Sequence, residues 1–262
     1  PSADVRLARG VRLHAVLPPL SPSMVCLSFR VPQRRALRLD EWVAGAAMPA
    51  AAAELLARIV AARLSFVVTG GTGSGKTTLL ATLLGCVDPA ERIVIVEDTS
   101  ELRPDHPHVV RLEARAANIE GVGAIGLRQL VREALRMRPD RLVVGAVRGA
   151  ECADLLAALN VGHDGGTGTL HANSPVDVPA RIEALCTAAG LTREATHSQL
   201  AAALQVVVHL VRDQHGRRLD SIGVVSRRGD ALVEVVPAVR VAGGRLVDDF
   251  GRPGLDALLG AR

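Results

Sequence analysis

The segment SFVVTGGTGSGKTTLL places Gly70, Gly75, Lys76 and Thr77 at the spacing G-x-x-x-x-G-K-[ST]. Glycines at these intervals let successive backbone N–H groups turn inward around an anion. A helix that begins directly after them adds the positive end of its dipole. Lys76 then reaches β- and γ-phosphates, and the Thr77 hydroxyl is placed to ligate Mg²⁺. The predicted chemistry is the binding of ATP and Mg²⁺ by Gly70, Gly71, Thr72, Gly73, Ser74, Gly75, Lys76, Thr77 and Thr78. A glycine-rich turn can match this spacing by accident. Against that stand a short apolar strand before the loop, a helix after it, and a compositional fact. Of 31 basic side chains, Lys76 alone is lysine. A compact ammonium suits a tight phosphate cradle, whereas the fork of arginine suits carboxylates and surfaces.

Splitting a phosphate anhydride also needs carboxylates near the γ-phosphate. In an open α/β sheet, ligands gather at the carboxyl ends of the strands. Glu97 and Asp98 follow the apolar run 92–96 at that end, and Glu101 comes a turn later. Asp140 opens the next buried strand, 141–145, so it lies about 16 Å from the phosphate end at about 3.3 Å per residue. It therefore cannot serve there. The correct end of that strand carries Ala146 and then Arg148. Arg148 is a candidate for a γ-phosphate or inter-subunit contact, with a surface ion pair as the plainer reading. His163 and His171 close the two ends of GHDGGTGTLH. They could sense the γ-phosphate, relay strain to the next subunit, or be structural; as a metal pair they lack a third ligand of clear spacing.

These groups need strands and helices that alternate, and the chain supplies them. Helical patterns are predicted at 49–64, 76–85, 124–137, 150–159, 175–189 and 194–204. Strands are predicted at 65–70, 92–96, 109–113, 141–145 and 167–171. That alternation implies a sheet with helices on both sides. Residues 205–248 read as a small antiparallel meander broken at DQHG and RRGD. Residues 1–30 hold three short β-like runs, and 31–41 read as a polar, Arg-rich linker. The expected organisation is 1–40 as a partial first domain and linker, 41–210 as the nucleotide domain, and 211–262 as its β-rich extension.

Composition narrows the classes. The chain of 262 residues is 48% hydrophobic but only 2% aromatic, with no Tyr, so its core must be aliphatic. A formal net charge of +4 permits a nucleic-acid partner. Single-strand binders stack bases on aromatics, which this chain nearly lacks, so no nucleic acid is expected. The 4 cysteines form no C-x-x-C pair, which argues for reduced thiols over a zinc site. The chain opens on Pro1, which points to a trimmed N-terminus. It shows no leader pattern and no apolar run of membrane-spanning length. A cytoplasmic protein is expected.

In order along the chain stand the phosphate loop, EDTSEL, RLEARAANIEG, LVREALRMRPDRLVVG, VRGAE and GHDGGTGTLHANSP. Together they resemble the secretion ATPases of the type II/type IV superfamily, over about residues 5–225. Within it they are most similar to the CpaF group, also called TadA, which powers Tad/Flp pilus assembly. The resemblance implies a RecA-like P-loop NTPase domain of α/β class, preceded by a β-containing domain that is truncated here and followed by the small meander. It implies a hexameric motor that is cytoplasmic and sits against inner-membrane platform proteins, with nucleotide between the two domains near the subunit interface. It assigns an acidic box to Glu97, Asp98 and Glu101 and a histidine box to His163 and His171. A phosphate-reaching arginine of the first domain would match Arg30, with Arg34 or Arg35 as further options. The absence of a four-cysteine insertion favours the CpaF side. One departure bears on chemistry: the family has Glu where this chain has Ala146. Three readings follow: an ATP-hydrolysing motor, a nucleotide-binding structural subunit with impaired hydrolysis, and a RecA-like nucleic-acid motor.

Overall fold

The computed structural model describes residues 1–262 except 8–9, 32–34, 118–120, 163, 215, 231 and 262. The chain forms two compact units, Pro1–Arg35 and Ala36–Arg262. The first unit is an antiparallel sheet of β1 (Ser2–Arg6), β2 (Arg12–Val16) and β3 (Cys26–Arg30), in that order. Val5 pairs with Leu13, and Leu13 with Phe29. The two-residue period therefore gathers Val5, Leu13 and Phe29 on one face with Ala3, Ala15 and Leu27. Three five-residue strands bury too little to make a core, and none of the described residues in this unit is buried.

The second unit begins with α1 (Leu39–Ala44) and α2 (Ala50–Ala61). Next come β4 (Phe66–Gly70), α3 (Lys76–Leu84), β5 (Ile93–Glu97), β6 (Val109–Glu113), α4 (Leu127–Arg136) and β7 (Arg141–Val147). They are followed by α5 (Glu151–Asn160), β8 (Thr167–His171), a 3-10 turn (Pro175–Asp177), α6 (Val178–Ala188) and α7 (Arg193–Ala203). The chain closes with β9 (Val206–Asp213), β10 (Gly216–Arg227), β11 (Val233–Ala242), β12 (Arg245–Asp248) and α8 (Arg252–Gly260). One sheet runs β12-β11-β10-β9-β4-β8-β7-β5-β6. The strands from β9 to β6 are parallel, and β9 to β12 are antiparallel hairpins.

The aliphatic core lies in two layers, one on each face of the sheet. β5 shows how. Its run IVIVE is buried throughout, as strands of a doubly covered parallel sheet are. Ile93 and Ile95 join the layer with Leu56, Leu79 and Leu255, while Val94 and Val96 join the one with Val131, Leu156 and Leu200. Among the described residues, no helix is long and apolar enough to cross a membrane.

At the amino ends of the strands a buried ion pair ties the layers. Arg141 is 1% exposed; its Nε donates to Glu91 Oε2 at 2.6 Å and its Nη2 to Glu91 Oε1 at 3.1 Å and to the Val60 carbonyl at 2.9 Å. Asp140 lies at this same end, where its carboxylate accepts the Arg92 N–H at 2.7 Å.

Three features differ from the sequence reading. β7 does not stop at residue 145: it continues to Val147 across an irregularity between Val144 and Val147, so Ala146 lies inside the strand's last turn of pleat. Residues 39–41, read as linker, already belong to α1, held by burial of Trp42 and by the Arg38 N–H donating to Glu41 at 2.8 Å. The helix α8 was not expected at all.

Candidate functional site

β4 delivers Gly70 to the carboxyl edge of the sheet, and α3 opens at Lys76. Between them the loop is shaped by glycine. A side chain on Gly70 would collide with the Leu210 carbonyl of β9. Gly75 caps α3 at φ +101, a left-handed conformation that costs other residues dearly. The first N–H groups of α3 are thereby left open toward the loop. The Lys76 ammonium folds back to donate to the carbonyls of Gly70 at 2.9 Å and Gly71 at 2.7 Å. Burial lowers its pKa, and the nearby charge of Arg148 lowers it further. Ser74 Oγ is buried without a partner among the described residues. Thr72 and Gly73 are exposed, and Thr77 and Thr78 are half-buried at the start of α3. A ring of backbone, one ammonium and an unpaired hydroxyl fit a phosphate group. The Thr77 hydroxyl is the loop group suited to Mg²⁺.

Glu97 ends β5 and is 4% exposed. Its Oε1 accepts the N–H groups of Glu101 and Leu102 at 3.0 Å each, while Oε2 is buried without a partner among the described residues. Burial raises its pKa above the ordinary carboxylate range, against the pull of those two N–H groups. Gly145 of β7 makes the seat: a Cβ there would stand 2.5 Å from Glu97 Cγ. The Thr169 hydroxyl of β8 fixes that spot by donating to the Gly145 carbonyl at 2.7 Å. Glu101 serves Glu97 through its backbone and its charge, and Asp98 is exposed.

Beyond Ala146 the loop is held by a carboxylate of another kind. Glu151 Oε1 accepts the N–H groups of Arg148 at 2.6 Å and Gly149 at 2.7 Å. That acid is committed to shaping the turn, so it does not stand in for an acid at 146. The Arg148 side chain is exposed, near enough to Lys76 to disfavour its charge. His171 ends β8 and is exposed, while His163 lies outside the described residues. Arg30 ends β3 in the first unit and is exposed; Arg34 also lies outside the described residues.

Several residues near the loop were not legible in the sequence. His209 on β9 is 2% exposed and shares a hydrogen bond with Thr69 Oγ1 at 2.9 Å; burial holds its pKa below the ordinary range. The single polar residue in VVVHLV was the available signal. Trp42 lies behind Gly75 and donates from Nε1 to Thr82 Oγ1 at 2.9 Å. Arg212 and Arg217 lie over Gly73 and Gly75. Concave pockets of about 420 and 390 Å³ are lined by Arg58, Arg63 and Leu259 and by Leu37, Thr82 and Cys86; neither is lined by a residue of the loop itself.

The profile of the family described as "Type II/IV secretion system protein" matches residues 3–241. The chain belongs to this family. A Mycobacterium tuberculosis protein named for conjugal transfer is 59% identical over 227 residues, 87% of this chain and 64% of that protein. The chain thus spans less than two thirds of that relative's length. The Agrobacterium fabrum protein VirB11 is 31% identical over 238 residues, 79% of this chain and 69% of that one. Among solved structures, the VirB11 ATPase of the Brucella suis type IV secretion system superposes with TM-score 0.56 at 27% identity, covering 85% of this chain and 73% of that one. The pilus retraction motor PilT with bound ADP matches in fold, with TM-score 0.60 at 19% identity, over 100% of this chain and 66% of that one. The α/β fold is that of these secretion-family ATPases, consistent with a RecA-like P-loop domain.

Proposed function

We propose that this chain is the ATP-hydrolysing core of a secretion-system motor. The observation that carries the reading is the seat of Lys76, an ammonium parked on the carbonyls of Gly70 and Gly71 inside a loop that only glycine can form. Its partners there are weak neutral acceptors, which a phosphate oxygen outcompetes. Mg²⁺, when bound, would neutralise charge on the phosphate oxygens. On the chain's side, Thr77 would hold the metal, and the first N–H groups of α3 would orient the phosphates. Glu97 would take the proton of the attacking water. Its raised pKa brings it closer to neutral pH, where a general base works best. Asp98, Glu101, Arg148, His163, His171 and Arg30 are the further residues proposed for this chemistry.

The finer reading is a hexamer of the CpaF type, cytoplasmic and docked on inner-membrane platform proteins, that assembles Tad/Flp pili. The motif set and the missing four-cysteine insertion support it. The conjugal and type IV secretion names of the relatives support the neighbouring reading, a motor for a conjugation or secretion channel.

A second reading rests on Ala146, which leaves the end of β7 without an acid. On it the protein binds ATP and assembles but turns over little. Steady-state phosphate release from the wild type, Lys76→Ala and Ala146→Glu decides between them. The motor reading expects turnover that vanishes in Lys76→Ala. Turnover at the Lys76→Ala background, rescued in Ala146→Glu without a gain in ATP affinity, would establish the second. Absence of ATP binding in the wild type refutes both.

A further inference from the structure

Resting on the nucleotide reading above, we infer that Arg212 and Arg217, on the β9–β10 hairpin, are phosphate-chain ligands supplied by the same subunit that supplies the loop. The topology puts them there. β9 is the parallel neighbour of β4, and Leu210 pairs with Gly70. Two residues further, β9 has passed the carboxyl edge of the sheet, where ligands of open α/β sheets bind. Arg212 shares the face of Leu210 by the two-residue period.

The contacts agree with the topology. A Cβ built on Gly73 would stand 2.9 Å from Arg212 Nη1, so the guanidinium rests on the middle of the loop. A Cβ on Gly75 would stand 3.3 Å from Arg217 Cδ and 3.4 Å from Trp42 Cη2. The stem of Arg217 therefore covers the last glycine before α3. The glycines have two uses here: they permit the left-handed backbone, and they leave room for the arginines.

Charge completes the case. Arg212 and Arg217 face each other as a cross-strand pair, an arrangement in which like charges repel. The neighbouring Arg218 is neutralised by Asp213 at 3.0 Å. Neither Arg212 nor Arg217 has an acidic partner among the described residues. Lys76 and Arg148 add two more positive charges close by. Arg212 and Arg217 against the loop, with Arg148 near Lys76, give it a positive surround that favours a polyanion. The planar guanidinium of Arg212 offers paired donors to phosphate oxygens from outside the cradle, while Lys76 acts as a point charge within it. Both arginines are exposed, so replacing them leaves the core intact.

The test is the affinity of the full chain for AMP, ADP and a non-hydrolysed ATP analogue, in the wild type, Arg212→Ala, Arg212→Lys, Arg217→Ala and Lys76→Ala. We expect Arg212→Ala to weaken ADP and the analogue about 10- to 100-fold, the range for a charge-assisted hydrogen bond, with Arg212→Lys in between. Arg217→Ala should weaken them less, and AMP should change least. If both alanine variants bind all three nucleotides within twofold of the wild type, the inference is wrong and the nucleotide site stands. Equal losses for AMP, ADP and the analogue would place the contact on the nucleoside or α-phosphate they share and overturn a role along the β- and γ-phosphates. If the wild type binds no better than Lys76→Ala, the nucleotide reading itself fails and takes the inference with it.

Discussion

Replacing Glu97 by Gln should stabilise the protein and slow it at the same time. The buried carboxylate uses Oε1 for two backbone N–H groups and leaves Oε2 unpaired among the described residues. Glutamine keeps the carbonyl that accepts both N–H groups and removes the charge. The sign of the pH dependence follows from the raised pKa. In the unfolded chain Glu97 titrates near its ordinary 4.5; in the fold it titrates higher. Stability is full below the unfolded value and is lost as pH rises through the folded one. The gap between Glu97→Gln and the wild type should therefore be near zero below about pH 4.5 and should widen as pH rises toward and through the folded value. The amide Nε2 stands as unpaired as Oε2 did, so the gain comes from removing the buried charge alone, on the order of 1 kcal/mol or roughly 2–4 °C in Tm. In the other direction, loss of a positioned general base typically lowers the rate about 10²–10⁴-fold, with nucleotide affinity unchanged. Thermal melts from pH 4 to 8 and phosphate release under saturating ATP measure both halves. A variant that melts lower at pH 7 would show the charge to be structural. One that hydrolyses ATP at the wild-type rate would remove Glu97 from the chemistry.

Other consequences can be checked as directly. Arg141→Met leaves Glu91 facing only Arg63 at 3.6 Å, so stability should fall by about 3–5 kcal/mol; the double variant with Glu91→Leu should recover most of it in chemical denaturation. His209 is held neutral by burial, its pKa depressed from 6.5. Its contribution is therefore present above about pH 6.5 and lost as pH falls through the folded value, and His209→Asn should flatten the Tm–pH curve there. Trp42 is the single tryptophan of the chain and touches Gly75 from behind. Its fluorescence should change saturably as nucleotide is added, and Lys76→Ala should abolish the change.

What the sequence made legible was local. The runs FVVTG, IVIVE and VVRLE are strands because β-branched residues are packed into five positions each, and no distant partner is needed to see it. The loop at Gly70–Thr78 is legible for the same reason, since its glycine spacing is its mechanism. What escaped depends on contacts far apart in the chain. Arg212 and Arg217 look like any other arginines until β9 pairs with β4. Arg141 reads as the polar edge of a strand, yet it is buried by Glu91 and Val60, 50 and 81 positions away. The short α1, LDEWVA, is too brief to show helical period, and it exists because Trp42 has Thr82 to bond, 40 positions on. The end of β7 was misread because a glycine usually interrupts a strand, whereas Gly145 is inside one to make room for Glu97.

The place of β4 in the sheet also has a cost in time. Phe66 pairs on one side with Thr167 and on the other with Val206, and the Thr69–His209 bond spans 140 positions. At roughly 5–20 residues per second of synthesis, β4 waits about 7 to 28 s for its second flank. Throughout that interval a largely apolar strand keeps an open edge, the condition under which nascent chains aggregate. Gly70 cannot settle against the Leu210 carbonyl before Leu210 exists. The phosphate loop is thus made early and seated late, so a chain released before β9 emerges would carry the nucleotide motif without a nucleotide site.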